Sequence, residues 1–265
     1  MLFIKKLFRR FIYYKKQMAL YADDDTLFIY QMGKVGSTTL ENSLPDAVHI
    51  HAFYSKNHIC SVRQKGLAKF GLNYFISRIE QELHNYLLRR AFKSRSRTKI
   101  ITLVREPQAR NLSMFFHDID AYLFAAHTNC LNTRQKPLLT RYQNADMLLD
   151  VFDCEFDHYY ALNWFDVEFL PMTGLNIYDY PFDIDEGYSL IAEKGIEVLC
   201  LRTDKLKDNV NILSQFIEQD VELHSVNKAD EKWYGDIYQN FIRTYTPTVQ
   251  REQKIKESKF FKHFF

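Results

Sequence analysis

The chain has 265 residues, 46% of them hydrophobic and 26% charged, a balance that excludes the disordered class and allows a sizeable core. Eight glycines and six prolines exclude collagen-like and low-complexity architectures, and a net charge of +2 argues against bulk nucleic-acid binding. The four cysteines, Cys60, Cys130, Cys154 and Cys200, stand far apart with no CxxC pair and read as reduced thiols of a cytoplasmic protein. No run approaches the roughly 18 apolar residues of a spanning helix. The broken apolar clusters of the first residues are not those of a signal peptide, so export is not expected.

Residues 1–22 alternate apolar clusters with basic pairs, and the first acid is Asp23. As a helix, this segment puts Leu2, Phe3, Leu7, Phe8, Phe11 and Tyr14 on one broad face. That pattern suits a helix lying peripherally on an anionic membrane; packing on the domain is the other reading. Asp23–Thr26 predicts a turn and Leu27–Tyr30 a short buried strand. The next stretch, Gln31–Thr39, holds Gly33 and Gly36 and leads to the helically spaced Leu40 and Leu44. Ala47–Phe53 alternates as a second strand. Residues 63–99 carry ten Lys/Arg and predict a helix with a basic solvent face. Lys99–Val104 is a strand that runs into Arg105-Glu-Pro107 and a helix containing Arg110, Ser113 and Phe116. Residues 120–150 read as helices and an insertion over the site, and residues 155–187 as aromatic-rich turns. Gly195–Leu201 is a further strand, and Asn209–Gln219 is helical. This alternation predicts one α/β domain over residues 23–245, three layers around a central, mostly parallel sheet. Residues 246–265 are expected as a tail, its Lys259–Phe265 end a second membrane contact or a docking segment.

Two of the eight glycines thus fall within four residues, between a strand and a helix. Such a turn can aim the backbone N–H groups of Gly33, Lys34, Val35 and Gly36 at an anion, with Lys34 adding charge and Ser37, Thr38 and Thr39 adding hydroxyls. The order is not GxxxxGK[ST], because Lys34 precedes Gly36. At the other strand end, Pro107 suits a first helical turn and Glu106 before it must be extended. Arg105 then lies at a strand's carboxyl end, where open sheets bind ligands, and forms with Ser113 a second anion grip. Arg110, Ser113 and His117 are spaced to share a helix face.

For a general base, His49 and His51 point to one face of the second strand, and His51 is nearer its carboxyl end. His51 is the first choice, followed by Glu41 and His117. As a metal set, His49, His51, His58 and Cys60 match no zinc signature, and no metal is expected. Asp-x-Asp pairs at Asp23/Asp25, Asp118/Asp120 and Asp183/Asp185 would suit a metal-dependent glycosyltransferase. The basic 63–99 region would suit a non-catalytic acidic-glycan-binding module.

Gln31-Met-Gly-Lys-Val-Gly-Ser-Thr-Thr-Leu40 resembles the 5′-phosphosulfate loop of the sulfotransferase superfamily, and Val104–Phe116 resembles its 3′-phosphate motif. More narrowly, Asn163–Glu168, Tyr180–Asp183 and Asn227–Tyr234 are similar to stretches of the bacterial capsular polysaccharide synthesis group called NKWYS. The likeness covers roughly residues 26–240. It departs at Asn227-Lys-Ala-Asp-Glu-Lys-Trp-Tyr234, which is not an unbroken NKWYS. The resemblance implies a P-loop-like fold, 3′-phosphoadenosine 5′-phosphosulfate (PAPS) as donor and a carbohydrate hydroxyl as acceptor. It further implies that Lys34 contacts the phosphosulfate, that Arg105 and Ser113 hold the 3′-phosphate, and that Asn227 and Lys228 cover the nucleotide.

Overall fold

In the computed structural model, which describes residues 2–54, 72–124, 145–223 and 233–265, the apolar runs become the inner strands of a five-stranded sheet. Strands β1 (Leu27–Tyr30), β2 (Val48–Ile50), β3 (Thr98–Val104) and β5 (Ile196–Arg202) are parallel. Strand β4 (Tyr188–Glu193) pairs antiparallel with β5, and the order across the sheet is β2-β1-β3-β5-β4. β1 and β3 are buried along nearly their whole length, as strands covered on both faces must be. The expected α/β class, with a mostly parallel sheet flanked by helices, is what forms.

Three expectations change. β4 begins just past the stretch read as turns, where no strand was expected; only alternate residues are buried, so its apolar signal is half that of an inner strand. It joins β5 through Lys194 and Gly195, whose φ values of 52° and 77° make the tight left-handed turn. A side chain at position 195 would reach within 2.5 Å of the Ser96 carbonyl oxygen, so glycine is required there. The second strand is shorter than Ala47–Phe53, because Gln31 closes its pairing by donating to the Ile50 carbonyl at 3.1 Å. Finally, the helix expected within residues 63–99 spans Leu72–Lys93, and its outer face is apolar over most of its length rather than basic.

The helices are α1 (Leu2–Ala22), α2 (Ser37–Ser43), α3 (Leu72–Lys93), α4 (Pro107–His117), α5 (Ala145–Glu155), α6 (Tyr160–Trp164), α7 (Val210–Ile217), α8 (Gly235–Thr244), α9 (Val249–Glu257) and α10 (Lys259–Phe264). α6 continues through a π turn, Phe165–Phe169, into a last turn, Leu170–Thr173. On one face of the sheet, Phe28 packs on Tyr21 of α1 and Phe92 of α3, and Tyr30 packs on Phe53, Trp164 and Phe169. Lys99, of opposite pleat to Phe28's partner Ile100, donates to the Phe216 carbonyl of α7, which lies on the other face. Residues 246–265 fold as α9 and α10 and bury Ile255, Phe260 and Phe264 in the main core. A second apolar cluster joins α4, α5 and α8 through Phe115, Phe116, Phe152 and Phe241.

The chain leaves β1 for β2 on one side, while β3 lies on the other. The carboxyl ends of β1 and β3 therefore flank the point where strand order reverses, the place where an open sheet leaves a crevice for a ligand.

Candidate functional site

The crevice begins where β1 and β3 stop pairing, after Ile29 and Ile101. Gln31, fully buried, fills the gap: its side-chain oxygen accepts from the Leu103 N–H at 3.2 Å, and its amide nitrogen faces His49 Nε2 at 3.4 Å. One side chain thus ties three strand ends together. Beyond it, Lys34 and Gly36 take left-handed backbone angles, with φ of 69° and 93°. Such turns coil a chain so that successive N–H groups can gather into an anion-binding hollow. The Thr203 hydroxyl braces the loop from β5's end, 2.5 Å from the Val35 carbonyl and 3.0 Å from that of Val104. Ser37, Thr38 and Thr39 open α2 and are half-buried.

Arg105, at the end of β3, donates through Nη1 to the Lys34 carbonyl at 3.1 Å. The loop after β1 and the segment after β3 therefore adjoin. Arg110, fully buried, donates through Nε to the Gly33 carbonyl at 3.1 Å and through Nη1 to Asn111 at 2.9 Å, and lies 5.2 Å from the Tyr160 ring centre. Its Nη2 has no partner among the described residues. Burial lowers its pKa to about 10, so it stays charged at neutral pH. Burial lowers Arg105 too. Among the described residues, neither guanidinium has a carboxylate in ion-pair contact.

Glu106 caps α4 by accepting from the Gln108 and Ala109 N–H groups at 3.0 and 2.7 Å, with Pro107 in the first turn as expected. Ser113 is half-buried, whereas His117 is exposed about 10 Å further along the helix axis than Arg110. The face expected to unite Arg110, Ser113 and His117 is thus divided: its first residue lies under the loop and its last in solvent.

His49 and His51 do share a face, their ring centres 4.4 Å apart. Glu41 of α2 pairs with His49 Nδ1. His51 Nδ1 lies 3.1 Å from the Gln31 carbonyl, which can only accept, so this nitrogen carries the proton and Nε2 is left as an acceptor. Burial pushes His49 down to about 3 and His51 below its ordinary value. Glu41, His49 and His51 offer ligand atoms within 4.8 Å of one another, a donor set that suits a divalent transition metal. Strand alternation paired the histidines in advance, but nothing local could place Glu41 beside them. His58 and Cys60 lie outside the described residues, as do Asn227 and Lys228.

Sequence reasoning missed Gln31, Thr203, Trp164 and Glu168. Trp164 Nε1 donates to the His51 carbonyl at 3.2 Å. Glu168, fully buried in the π turn, accepts from the Tyr30 hydroxyl at 3.0 Å, from the Tyr54 N–H at 3.2 Å and from the Phe53 N–H. Together they pin the segment that carries His51. Their one advance signal was the Asn163–Glu168 stretch, which gave no role to either.

At the amino ends of the strands, a cleft of about 660 Å³ is lined in part by Asp23, Asp25, Arg97, Lys99 and Glu218. Its two cations are already paired, Arg97 with Asp25 and Lys99 with Glu218 at 2.6 Å. The Asp183 carboxylate accepts from the Glu186 N–H within a turn.

Residues 139–265 match the model of the NKWYS family, described as "Putative capsular polysaccharide synthesis protein". Comparison with curated proteins and with solved structures gave no match. The matched segment, a little under half of the chain, contains the three stretches whose likeness was read from sequence. It begins well after residue 26, so it includes Trp164, Glu168 and Thr203 but neither Lys34 nor Arg105.

Proposed function

We propose, with the likeness of residues 139–265 to a polysaccharide-synthesis family as premise, that the protein is a sulfotransferase that moves the sulfuryl group of PAPS to a carbohydrate hydroxyl. The observation that supports this reading is the 3.1 Å contact between Arg105 and the Lys34 backbone, which sets the segments of the two expected anion grips side by side. The donor set fits a bis-anionic nucleotide. A buried guanidinium without a counter-ion is costly, and Arg110 under the loop is one whose charge an anion above Gly33–Thr39 would offset.

PAPS, when bound, supplies an activated sulfuryl group on a good leaving group. Lys34 and the loop N–H groups would hold the oxygens on which charge develops, and Arg105 with Ser113 the 3′-phosphate. Arg110 acts beneath them as a positioning residue, engaging the Gly33 carbonyl. His51, its tautomer set by Gln31, would accept the acceptor hydroxyl's proton at Nε2.

Calorimetric titration tests this. Adenosine 3′,5′-bisphosphate should bind without divalent metal, and Lys34→Ala or Arg105→Ala should weaken it about 10- to 100-fold, as expected for a lost charge-assisted hydrogen bond. His51→Ala should abolish turnover with little change in that affinity. The convergence of Glu41, His49 and His51 favours a second reading, a metal-dependent glycosyltransferase. Tight Mn²⁺-dependent binding of a nucleotide-diphosphate sugar, lost in His49→Ala and accompanied by no bisphosphate binding, would select it. Bisphosphate binding without sulfation of any glycan would leave a glycan-binding module.

A further inference from the structure

No described helix is long and apolar enough to cross a membrane, yet α3 carries an unusual outer face. Ile76, Ile79, Leu83, Tyr86, Arg90 and Lys93 follow one another at alternating steps of three and four, which places them in a single stripe. The first four, with Phe75 beside them, are 49–62% exposed. A solvated helix does not ordinarily present an apolar row of this length.

The stripe ends in cations. A pocket of about 370 Å³ is lined by Tyr54, Tyr86, Arg89, Arg90, Lys93 and Ser94. Arg89 is fixed in it, donating to the Phe53 carbonyl at 2.7 Å with its guanidinium 4.7 Å from the Tyr54 ring centre. Lys93 donates to the Pro171 carbonyl at 2.9 Å. None of these three cations has a carboxylate in ion-pair contact among the described residues.

α1 runs beside α3 in the same direction. Arg10 and Tyr14 meet Glu80, Tyr14 stacks on His84, and further along Tyr21 and Phe92 converge on Phe28. It adds six Lys/Arg, no acid, and exposed Phe11, Ile12 and Tyr13.

We propose that α3, flanked by α1, is the docking surface for an anionic phospholipid membrane: the apolar row enters the headgroup–acyl boundary, and a lipid phosphate is held at Arg89, Arg90 and Lys93. The charge arrangement selects this occupant. A second copy packed in parallel would oppose like charges, and one packed antiparallel would set cations against Ile76 and Ile79. An anionic bilayer offers hydrocarbon and negative charge within the roughly 10 Å of helix that separates Leu83 from Arg90, and long basic side chains reach from one to the other. The inference is independent of the reaction proposed above.

Flotation of the full chain with vesicles tests it. The protein should float with phosphatidylcholine–phosphatidylglycerol vesicles, more weakly with pure phosphatidylcholine, and less at high salt. Replacing both cations (Arg90→Gln with Lys93→Gln) should lower partitioning roughly 30-fold at low salt. Replacing the row (Ile79→Ser with Leu83→Ser) should abolish the salt-resistant part, with circular dichroism melts confirming that both variants stay folded. Absence of flotation, or flotation untouched by both double variants, overturns the proposal. So does a dimer in light scattering that Ile79→Ser with Leu83→Ser dissolves, which would assign the row to a second copy.

Discussion

A carboxylate withdrawn from water must be met by donors, and among the described residues Glu168 is met by three on one oxygen. Removing it takes the acceptor from the buried Phe53 N–H and the half-buried Tyr54 N–H, while the Tyr30 hydroxyl keeps its second acceptor, the Glu168 backbone carbonyl at 3.0 Å. Glu168→Ala should therefore cost about 3 kcal/mol in urea denaturation, while Glu168→Gln, which keeps an acceptor oxygen, should cost less than half of that. Gln31 makes the same point at neutral charge, since its amide replaces the ladder contact that β1 and β3 no longer make. Neither residue was legible beforehand. A lone Gln or Glu in sequence looks identical whether it ends in solvent or between three strands, and only the partners it finds distinguish the two.

At the scale of elements, the loop between β1 and α2 was the most readable part of the chain. Its signals are local: an apolar run, two glycines three apart, and hydroxyl residues ahead of helically spaced leucines. Gly36 has a double constraint. Its φ of 93° disfavours any side chain, and a Cβ there would sit 2.9 Å from the Thr203 methyl. Gly36→Ala should destabilise the protein by about 1–2 kcal/mol and displace the loop from Thr203. Denaturation would measure the first effect, and a parallel loss of bisphosphate affinity the second. The cap of α4 was equally readable, because Glu106-Pro107 dictates its own geometry. α3 was not. Counting charges predicted a basic outer face, but several of those cations are drawn to backbone carbonyls, and the exposed row is apolar.

The whole molecule rests on two apolar clusters, one around the sheet and one joining α4, α5 and α8. His158 links them. It lies against Phe152 and Phe156, donates through Nε2 to the Phe152 carbonyl, and through its own carbonyl holds Asn111, the neighbour of Arg110. Burial, and then Arg251, push its pKa down to about 4. The unfolded chain therefore takes up a proton before the folded one does. The stability at stake is fully present above pH ~6.5 and is lost as pH falls towards about 4, a loss of about 3 kcal/mol. Urea midpoints between pH 7 and pH 4 should fall more steeply for the wild type than for His158→Gln. By itself the sequence determined the α/β order, the glycine loop, the α4 cap and the shared face of His49 and His51. Each of these follows from residues within a few positions of one another, where backbone sterics and side-chain period decide. Only the tertiary structure decided that Arg105 meets Lys34, that Glu41 joins the histidines, and that Glu168 pins Phe53 from 115 positions away. Such contacts depend on which strand lies beside which, and strand order is set by the burial of the whole sheet rather than by any segment of it.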